Sequence, residues 1–333
     1  MGQLSGSQAE TAEYALRAVQ GYGENPSSYL ALNRGNQLFT ASTGDVIAYR
    51  ESGRYLVQFA GVLGPWERKA QALREFKDYA RAGKRRIACV QLQSREAELY
   101  ASEGFTINQV GSSYSVHLPD FTLRGSRFMK LRNKISQARR SGLQVEEVSY
   151  DEHVGHIEEI DRFWLRSKGK HTKEIRFLVG EVGGPAQKHR RLFMATDGRR
   201  PTAYISYSPV FGERPGWLHD LSRRRHDARP GAAEAINATA LELFMRERAE
   251  WLHFGFTPFT GLDAAHMIAP SSPLTGAFMR LLAERGEALY PAASQLSYKK
   301  KWHPHLVTPE YLAFEGRARP GAIWQLLRVT NTV

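Results

Sequence analysis

The chain has 333 residues, 42% hydrophobic and 24% charged, with 46 Lys and Arg against 34 Asp and Glu for a formal net charge of +12. This composition is globular rather than disordered, and the length exceeds one ordinary core, so two domains are expected. No window approaches the roughly 20 apolar residues of a membrane-spanning helix, and the positive surplus suits an anionic partner, nucleic acid or acidic lipid.

The N-terminal "MGQLSGSQAETAEYALRAVQ" lacks the basic-then-apolar pattern of a signal peptide and the Ser or Thr at position six that myristoylation requires. It reads as helix. "DVIAYRESGRYLVQFAG" predicts two strands around Glu51-Ser52-Gly53. An amphipathic helix follows over 66–82, with Ala70, Leu73, Phe76 and Ala80 at helical spacing. Residues 86–93 predict a strand holding the single cysteine, Cys89, in the apolar run "RIACVQL", a setting for a buried structural thiol in a reducing cytoplasm. A short helix (95–103) and the extended "FTINQVGSSYSVHL" come next.

From Phe121 to Val145 there is no acid, whereas Arg124, Arg127, Lys130, Arg132, Lys134, Arg139 and Arg140 supply seven positive charges. On a helical wheel Phe128, Leu131, Ile135 and Ala138 form an apolar stripe; Arg127, Lys130 and Lys134 flank it on one side, Arg132 and Arg139 on the other. Solvated helix faces usually mix signs to gain i,i+4 pairs, so this one is expected to face a polyanion.

"LQVEEV" then predicts a strand, and 151–167 a helix capped by Asp151. "RLFMATDGRRPTAYISYSPV" reads as two strands, "GWLHDLS" as a third, 230–249 as a helix opened by Pro230, "WLHFGF" as a strand and 274–285 as a helix. The order strands, long helix, strand, helix, extended piece thus occurs twice. We expect an α+β protein of two units joined by a basic helix, with boundaries 1–122, 123–142 and 143–333.

Three segments are candidates for chemistry. In "HDLSRRRHDARPG", Asp220 ends a predicted strand and Arg223–Arg225 with Arg229 precede a helix start, a natural place for a phosphate or carboxylate or, equally, a solvated capped loop. In "LSYKKKWHP", alternate lysines of an extended segment would send Lys299 and Lys301 into a cleft beside Tyr298 and Trp302, with Lys300 outward; a charged edge strand is the alternative. His153 and His156 lie three apart without an evident third ligand, so no metal site is expected. No Walker loop, G-x-S-x-G or G-x-G-x-x-G occurs, and none points to nucleotide hydrolysis or covalent catalysis.

The ordered motifs "GDVIAYR", "FAGVLGP", "EFKDYAR", "GFTINQVGSSYSVHLPDFTLRG" and "LRNKISQARRSGLQV", followed by "WLRSKGKHTKEIRFLVG", "HDLSRRRHDARPG", "HFGFTPFTGL" and "LSYKKKWHPHLVTPEYLAF", cover roughly residues 25–315. Together they closely resemble the C-terminal domain of the bacterial multiple peptide resistance factor family, the lysyl- and alanyl-phosphatidylglycerol synthases. The resemblance implies tandem acetyltransferase-like (GNAT) folds joined by a basic helix. It also implies aminoacyl transfer from aminoacyl-tRNA to an acceptor, without ATP, coenzyme A or another cofactor. Carried over, the family's Asp-x-x-Arg falls on Asp220 and Arg223, and the basic residues of its terminal motif on Lys299 and Lys301, as catalytic groups. Glu174, Phe177 and Gly180 match its E-x-x-F-x-x-G, and Glu174, Phe177, Tyr298, Trp302 and Thr257 (in "TPFTGL", where the family has "APLSGL") are expected at the substrate. Arg127, Lys130, Arg132, Lys134, Arg139 and Arg140 are expected to grip tRNA phosphates. The family's membrane-embedded half has no counterpart in the sequence, and free-standing relatives pass a seryl group to a small hydroxylamine. A small soluble acceptor is therefore expected ahead of a lipid, in a protein that is cytoplasmic or peripheral to the inner membrane face. Three rivals remain: a coenzyme A-dependent acetyltransferase, a Fem-like peptidoglycan aminoacyltransferase, and a non-enzymatic binder of RNA or acidic membrane.

Overall fold

The computed structural model describes residues 6–167, 176–198, 200–285 and 292–331. After helix α1 (Gly6–Tyr22) and a 3-10 turn (Ser28–Leu32), the first half runs β1 (Gln37–Thr40), β2 (Val46–Ser52), β3 (Tyr55–Leu63), α2 (Trp66–Ala82), β4 (Arg86–Leu92), α3 (Ser94–Ser102) and β5 (Phe105–His117). The basic helix α4 (Met129–Arg140) leads to β6 (Leu143–Val148) and α5 (Tyr150–Ser167). The second half repeats the order: β7 (Arg191–Asp197), β8 (Arg200–Val210), β9 (Gly216–Arg224), α6 (Ala232–Arg246), β10 (Trp251–Pro258), α7 (Pro273–Arg285), α8 (Ala292–Lys300) and β11 (Leu306–Glu315), then α9 (Pro320–Val329). The predicted elements are present except that the extended piece expected around "SQLSYKKKW" is helix α8, and Asp151 lies inside the first turn of α5 rather than capping it.

The eleven strands among the described residues form one sheet, in the order β1-β2-β3-β4-β11-β5-β10-β9-β8-β7-β6. Among the described strands β3·β4 and β9·β10 pair in parallel and the rest antiparallel, because each parallel pair is joined by a helical crossover, α2 or α6. The chain end decides the architecture. β11 inserts between β4 and β5, and the α9 residue Ala322 packs in one core with β2 and β3 residues Ala48, Val57 and Phe59. A boundary at 142 or 143 therefore does not separate two self-contained units: residues 306–329 complete the first half. The physical reason is that β5, paired on both sides, has β10 on one edge and β11 on the other.

The basic helix docks as the wheel predicts. Phe128, Leu131, Ile135 and Ala138 are buried against Ala232, Ala235 and Ile236 of α6. Its charge is less free than the sequence suggests. Lys134 Nζ lies 2.8 Å from Glu234 Oε1, Arg139 reaches Glu242 at 3.2 Å, and Arg132 donates to the carbonyls of Leu123 and Gly125. The missing acids of α4 are supplied by α6. Arg127, Lys130 and Arg140 remain exposed.

Candidate functional site

β9 and β10 pair only over 216–218 and 251–253; beyond that β9 stays with β8 while β10 follows β5. At the point of divergence β9 carries a bulge. Tyr207 of β8 faces His219 and Ser206 faces Leu221, leaving Asp220 as the extra residue. A bulge re-aims side chains. His219 turns to the α6 side, where its Nδ1 lies 3.2 Å from Asn237 Oδ1 and its ring meets Tyr298 and Phe254; burial lowers its pKa to about 4. Asp220 turns to the other face.

The Asp220 side chain is fully buried, as is that of Arg190, 3.7 Å away. Ser208 Oγ donates to Asp220 Oδ2, and Arg190 Nε donates to Ser208 Oγ at 3.1 Å. Arg190 Nη2 donates to Asn33 Oδ1 at 2.6 Å, and the guanidinium lies 5.2 Å from the Tyr29 ring centroid. Burial raises the Asp220 pKa to about 6 against the opposing pull of Arg190 and the Ser208 hydroxyl. Among the described residues, Asp220 Oδ1 and Arg190 Nη1 have no hydrogen-bond partner. A buried carboxylate oxygen left without a donor is expensive unless something arrives to meet it.

Gly180 closes over this carboxylate. Its N–H donates to the Asp220 carbonyl at 3.0 Å, and a Cβ built on it would lie 2.3–2.6 Å from the Asp220 carboxylate atoms. That close approach explains a glycine three residues after Phe177. Gly180→Ala is expected to push the carboxylate from its cage and lower activity at least about tenfold with little change in melting temperature; the misplacement logic is general for active sites. Steady-state kinetics beside a thermal melt checks it.

The other expected site residues lie as follows. Phe177 is buried edge-on to Phe59, with the Arg50 guanidinium over its ring at 5.1 Å, so it is core near the site. Glu174 lies outside the described residues. Arg223 does not orient Asp220: its guanidinium sits 3.8 Å over the Trp164 ring with Nε 3.7 Å from Asp161, both on α5. Of the other arginines ahead of α6, Arg225 is committed to Glu159 and Asp227 and Arg229 to Asp197, while Arg224 is exposed. The start of α6 is closed too, because a Cβ on Gly231 would meet the Lys134 carbonyl at 2.8 Å. This helix start is not an open anion site.

"SYKKKW" is not extended. Residues through Lys300 form the end of α8 and the chain then turns, so Lys299 and Lys301 do not share one face. Lys299 is buried, its Nζ donating to the carbonyls of Gly255 (2.8 Å) and Phe256 (3.0 Å), and burial lowers its pKa to about 7. Lys301 Nζ lies 2.9 Å from Glu234 Oε1, the same oxygen that Lys134 reaches. Burial pushes Glu234 up, but the two ammoniums outweigh it and hold its pKa below the usual value. Tyr298 and Trp302 belong to the core under α4 and α6, Trp302 with no exposure at all. Trp302→Ala is expected to cost about 3–5 kcal/mol of stability, read from denaturant unfolding, and to act on activity only through folding. Thr257 is buried on β10, its Oγ1 without a partner among the described residues.

Cys89 is a buried structural thiol, donating to the Ala60 carbonyl at 3.0 Å with its pKa pushed well up by burial. Sequence reasoning missed Arg190, Ser208, Asn33 and Glu234. Only Gly180 carried a signal, through its spacing from Phe177.

Residues 16–314 match the family model described as phosphatidylglycerol lysyltransferase, C-terminal. The chain is 23% identical over 304 residues to a phosphatidylglycerol lysyltransferase of Bacillus subtilis (strain 168), covering 88% of this chain. It spans 34% of the length of that relative. The fold matches the C-terminal domain (DUF2156) of a putative lysylphosphatidylglycerol synthetase from Agrobacterium fabrum, with a TM-score of 0.80, 22% identity and 98% of each chain covered. L-PGS from Bacillus licheniformis matches with a TM-score of 0.75, 20% identity and 96% of each chain covered. The match over residues 16–314, nearly the whole chain, means that the chain belongs to the phosphatidylglycerol lysyltransferase C-terminal family.

Proposed function

We propose that the protein transfers an aminoacyl group from an aminoacyl-tRNA to a hydroxyl of phosphatidylglycerol. The observation that carries the reading is the Asp220 cage: a buried carboxylate with one oxygen lacking a donor, beside a buried arginine. With a pKa near 6 it is mostly ionised at neutral pH, and it offers Oδ1 to the α-ammonium of an aminoacyl ester. The reaction is ester exchange. The acceptor hydroxyl oxygen bonds to the ester carbonyl carbon, the bond from that carbon to the terminal ribose oxygen breaks, and the acceptor's proton ends on the ribose hydroxyl. In its protonated form Lys299 spends two of its three N–H donors on carbonyls and keeps one for the developing oxyanion. Lys301 and Arg223 act as supports, the first under the basic helix and the second on α5.

The acceptor preference reverses the expectation formed from the sequence. That expectation rested on the span of the chain, and nothing in the site favours a soluble acceptor. The family's description names phosphatidylglycerol. A surface feature agrees. On α7, Leu274 (84% exposed), Phe278 and Leu281 form an exposed apolar stripe, with Met267 (71% exposed) just before the helix. On its inner side Met279 packs in the same core as Leu218, Phe177 and Tyr29. An apolar stripe on the Asp220 side of the sheet suits a lipid acceptor better than a freely diffusing one. Among the described residues no helix is long and apolar enough to cross a membrane.

The test supplies individually charged, radiolabelled tRNAs with phosphatidylglycerol vesicles, then extracts with chloroform. Label from one aminoacyl-tRNA is expected in the chloroform phase. Label that leaves tRNA yet enters the aqueous phase only when a cell extract is added would overturn the lipid acceptor in favour of a small molecule.

A further inference from the structure

The orientation and charge of Asp220 are governed from elsewhere in the chain. Arg190 precedes β7, Ser208 lies on β8, and Asn33 and Tyr29 belong to the 3-10 turn after α1 and its end. Nε of Arg190 bonds Ser208 Oγ, which bonds Asp220 Oδ2, so one arginine fixes the hydroxyl that fixes the carboxylate. Its Nη2 is held by Asn33 Oδ1, and the Asn33 Nδ2 in turn donates to the Val179 carbonyl at 3.0 Å, beside Gly180. Tyr29 lies under the guanidinium and donates its hydroxyl to the Ala186 carbonyl at 2.7 Å. Groups from distant segments thus converge on one carboxylate.

We propose that Arg190 is the positioning residue for Asp220, orienting it through Ser208 and keeping it ionised, and that Asn33 and Tyr29 make this depend on the N-terminal half of the chain. The proposal deepens the aminoacyl-transfer reading and rests on it for its kinetic consequences only. The role follows from geometry. A fully buried carboxylate 3.7 Å from a fully buried guanidinium is ionised at neutral pH because the cation is there, and burying it without that cation favours the acid. A neutral acid cannot hold an ammonium. Among the described residues the groups facing Asp220 are Arg190, Ser208, Ser206 and the Tyr29 phenol, with Tyr207 on the opposite face of β8; the two phenols stay neutral because burial raises both. Among the described residues Arg190 is therefore the one cation facing Asp220, and desolvation is its opponent in setting Asp220 at about 6.

The experiment has two readouts. The first needs no turnover: infrared difference titration of wild type against Asp220→Asn isolates the Asp220 carboxyl band. Its midpoint is expected near 6 in the wild type. It should lie more than about one pH unit higher in Arg190→Gln, and between the two in Arg190→Lys, which restores the charge but not the shared hydrogen bonding. The second is the pH dependence of kcat for transfer. The acid limb should move with the infrared midpoint, so Arg190→Gln loses about twofold at pH 7 for a shift of one unit and about tenfold for a shift of two, and regains most of it near pH 9. A merely structural role would lower activity equally at all pH values. An unchanged infrared midpoint in Arg190→Gln overturns the proposal. Absence of transfer by the wild type would count against the aminoacyl reading while leaving the infrared result to decide the role of Arg190. If Arg190→Gln does not fold, Asn33→Ala decides: it removes one bond to the guanidinium, and a smaller upward shift supports the proposal whereas no shift overturns it.

Discussion

Asp220→Asn is expected to lower kcat/KM for aminoacyl transfer by about 10²–10⁴-fold, the range for losing an essential positioned acid–base or electrostatic group. Asn fits the same volume beneath Gly180 and still accepts the Ser208 hydroxyl, so the cage survives and only the charge goes. The affinity for uncharged tRNA should stay within a few-fold, because the carboxylate is buried on the face of the sheet opposite α6 and the basic helix. Charged tRNA should lose the part of its affinity that the ammonium contributes. Steady-state kinetics with filter binding of charged and uncharged tRNA separates the two effects, and a variant that retains full activity would remove Asp220 from the mechanism.

The second large effect concerns α4. Arg127→Glu with Lys130→Glu is expected to weaken tRNA binding severely with the fold intact. Both side chains are exposed, and the buried stripe of Phe128, Leu131, Ile135 and Ala138 is untouched. If each side chain neutralises one phosphate, the slope of log affinity against log salt should fall by about 0.7–0.9 for every phosphate left without its cation. Lys134→Glu should behave differently. It would set a carboxylate against Glu234, which Lys134 and Lys301 now neutralise together, so lowered stability is expected ahead of any specific effect on binding. Binding isotherms at several salt concentrations, with a thermal melt of each variant, distinguish the two classes. Normal tRNA binding by the double Glu variant at physiological salt would take the helix out of the donor site.

These two experiments differ in how far the sequence alone could design them. The apolar stripe of α4 was readable because helical periodicity is local: residues three and four apart share a face whatever lies opposite. What lies opposite was not readable. The seven cations without a local acid looked free, yet Lys134, Arg132 and Arg139 meet Glu234, two backbone carbonyls and Glu242, partners from seven to about a hundred residues away. Lys299 and Lys301 show the same limit from the other side. Alternation is a strand argument, and it fails where "SQLSYKK" is helical because α8 packs its Tyr298 onto the core of α6 and β10.

By itself the sequence determined most of the elements and their order, the docking stripe of the basic helix, the buried thiol, the resemblance to a family and the candidacy of Asp220. Each depends on spacing within a few residues or on motifs in series. The tertiary structure alone decided that β11 closes the first half and that Asp220 sits at a bulge where β9 and β10 part. It also decided that the partner of that carboxylate is Arg190 rather than Arg223. Arg223 is close to Asp220 along the chain and Arg190 is far from it. Yet a bulge turns Asp220 toward the hydroxyl of Ser208 on the neighbouring strand, and a side chain from before β7, braced by Asn33 near the start of the chain, supplies the charge. Strand pairing and side-chain direction across a sheet depend on register between distant segments, and no local pattern in the chain encodes which distant residue will stand opposite.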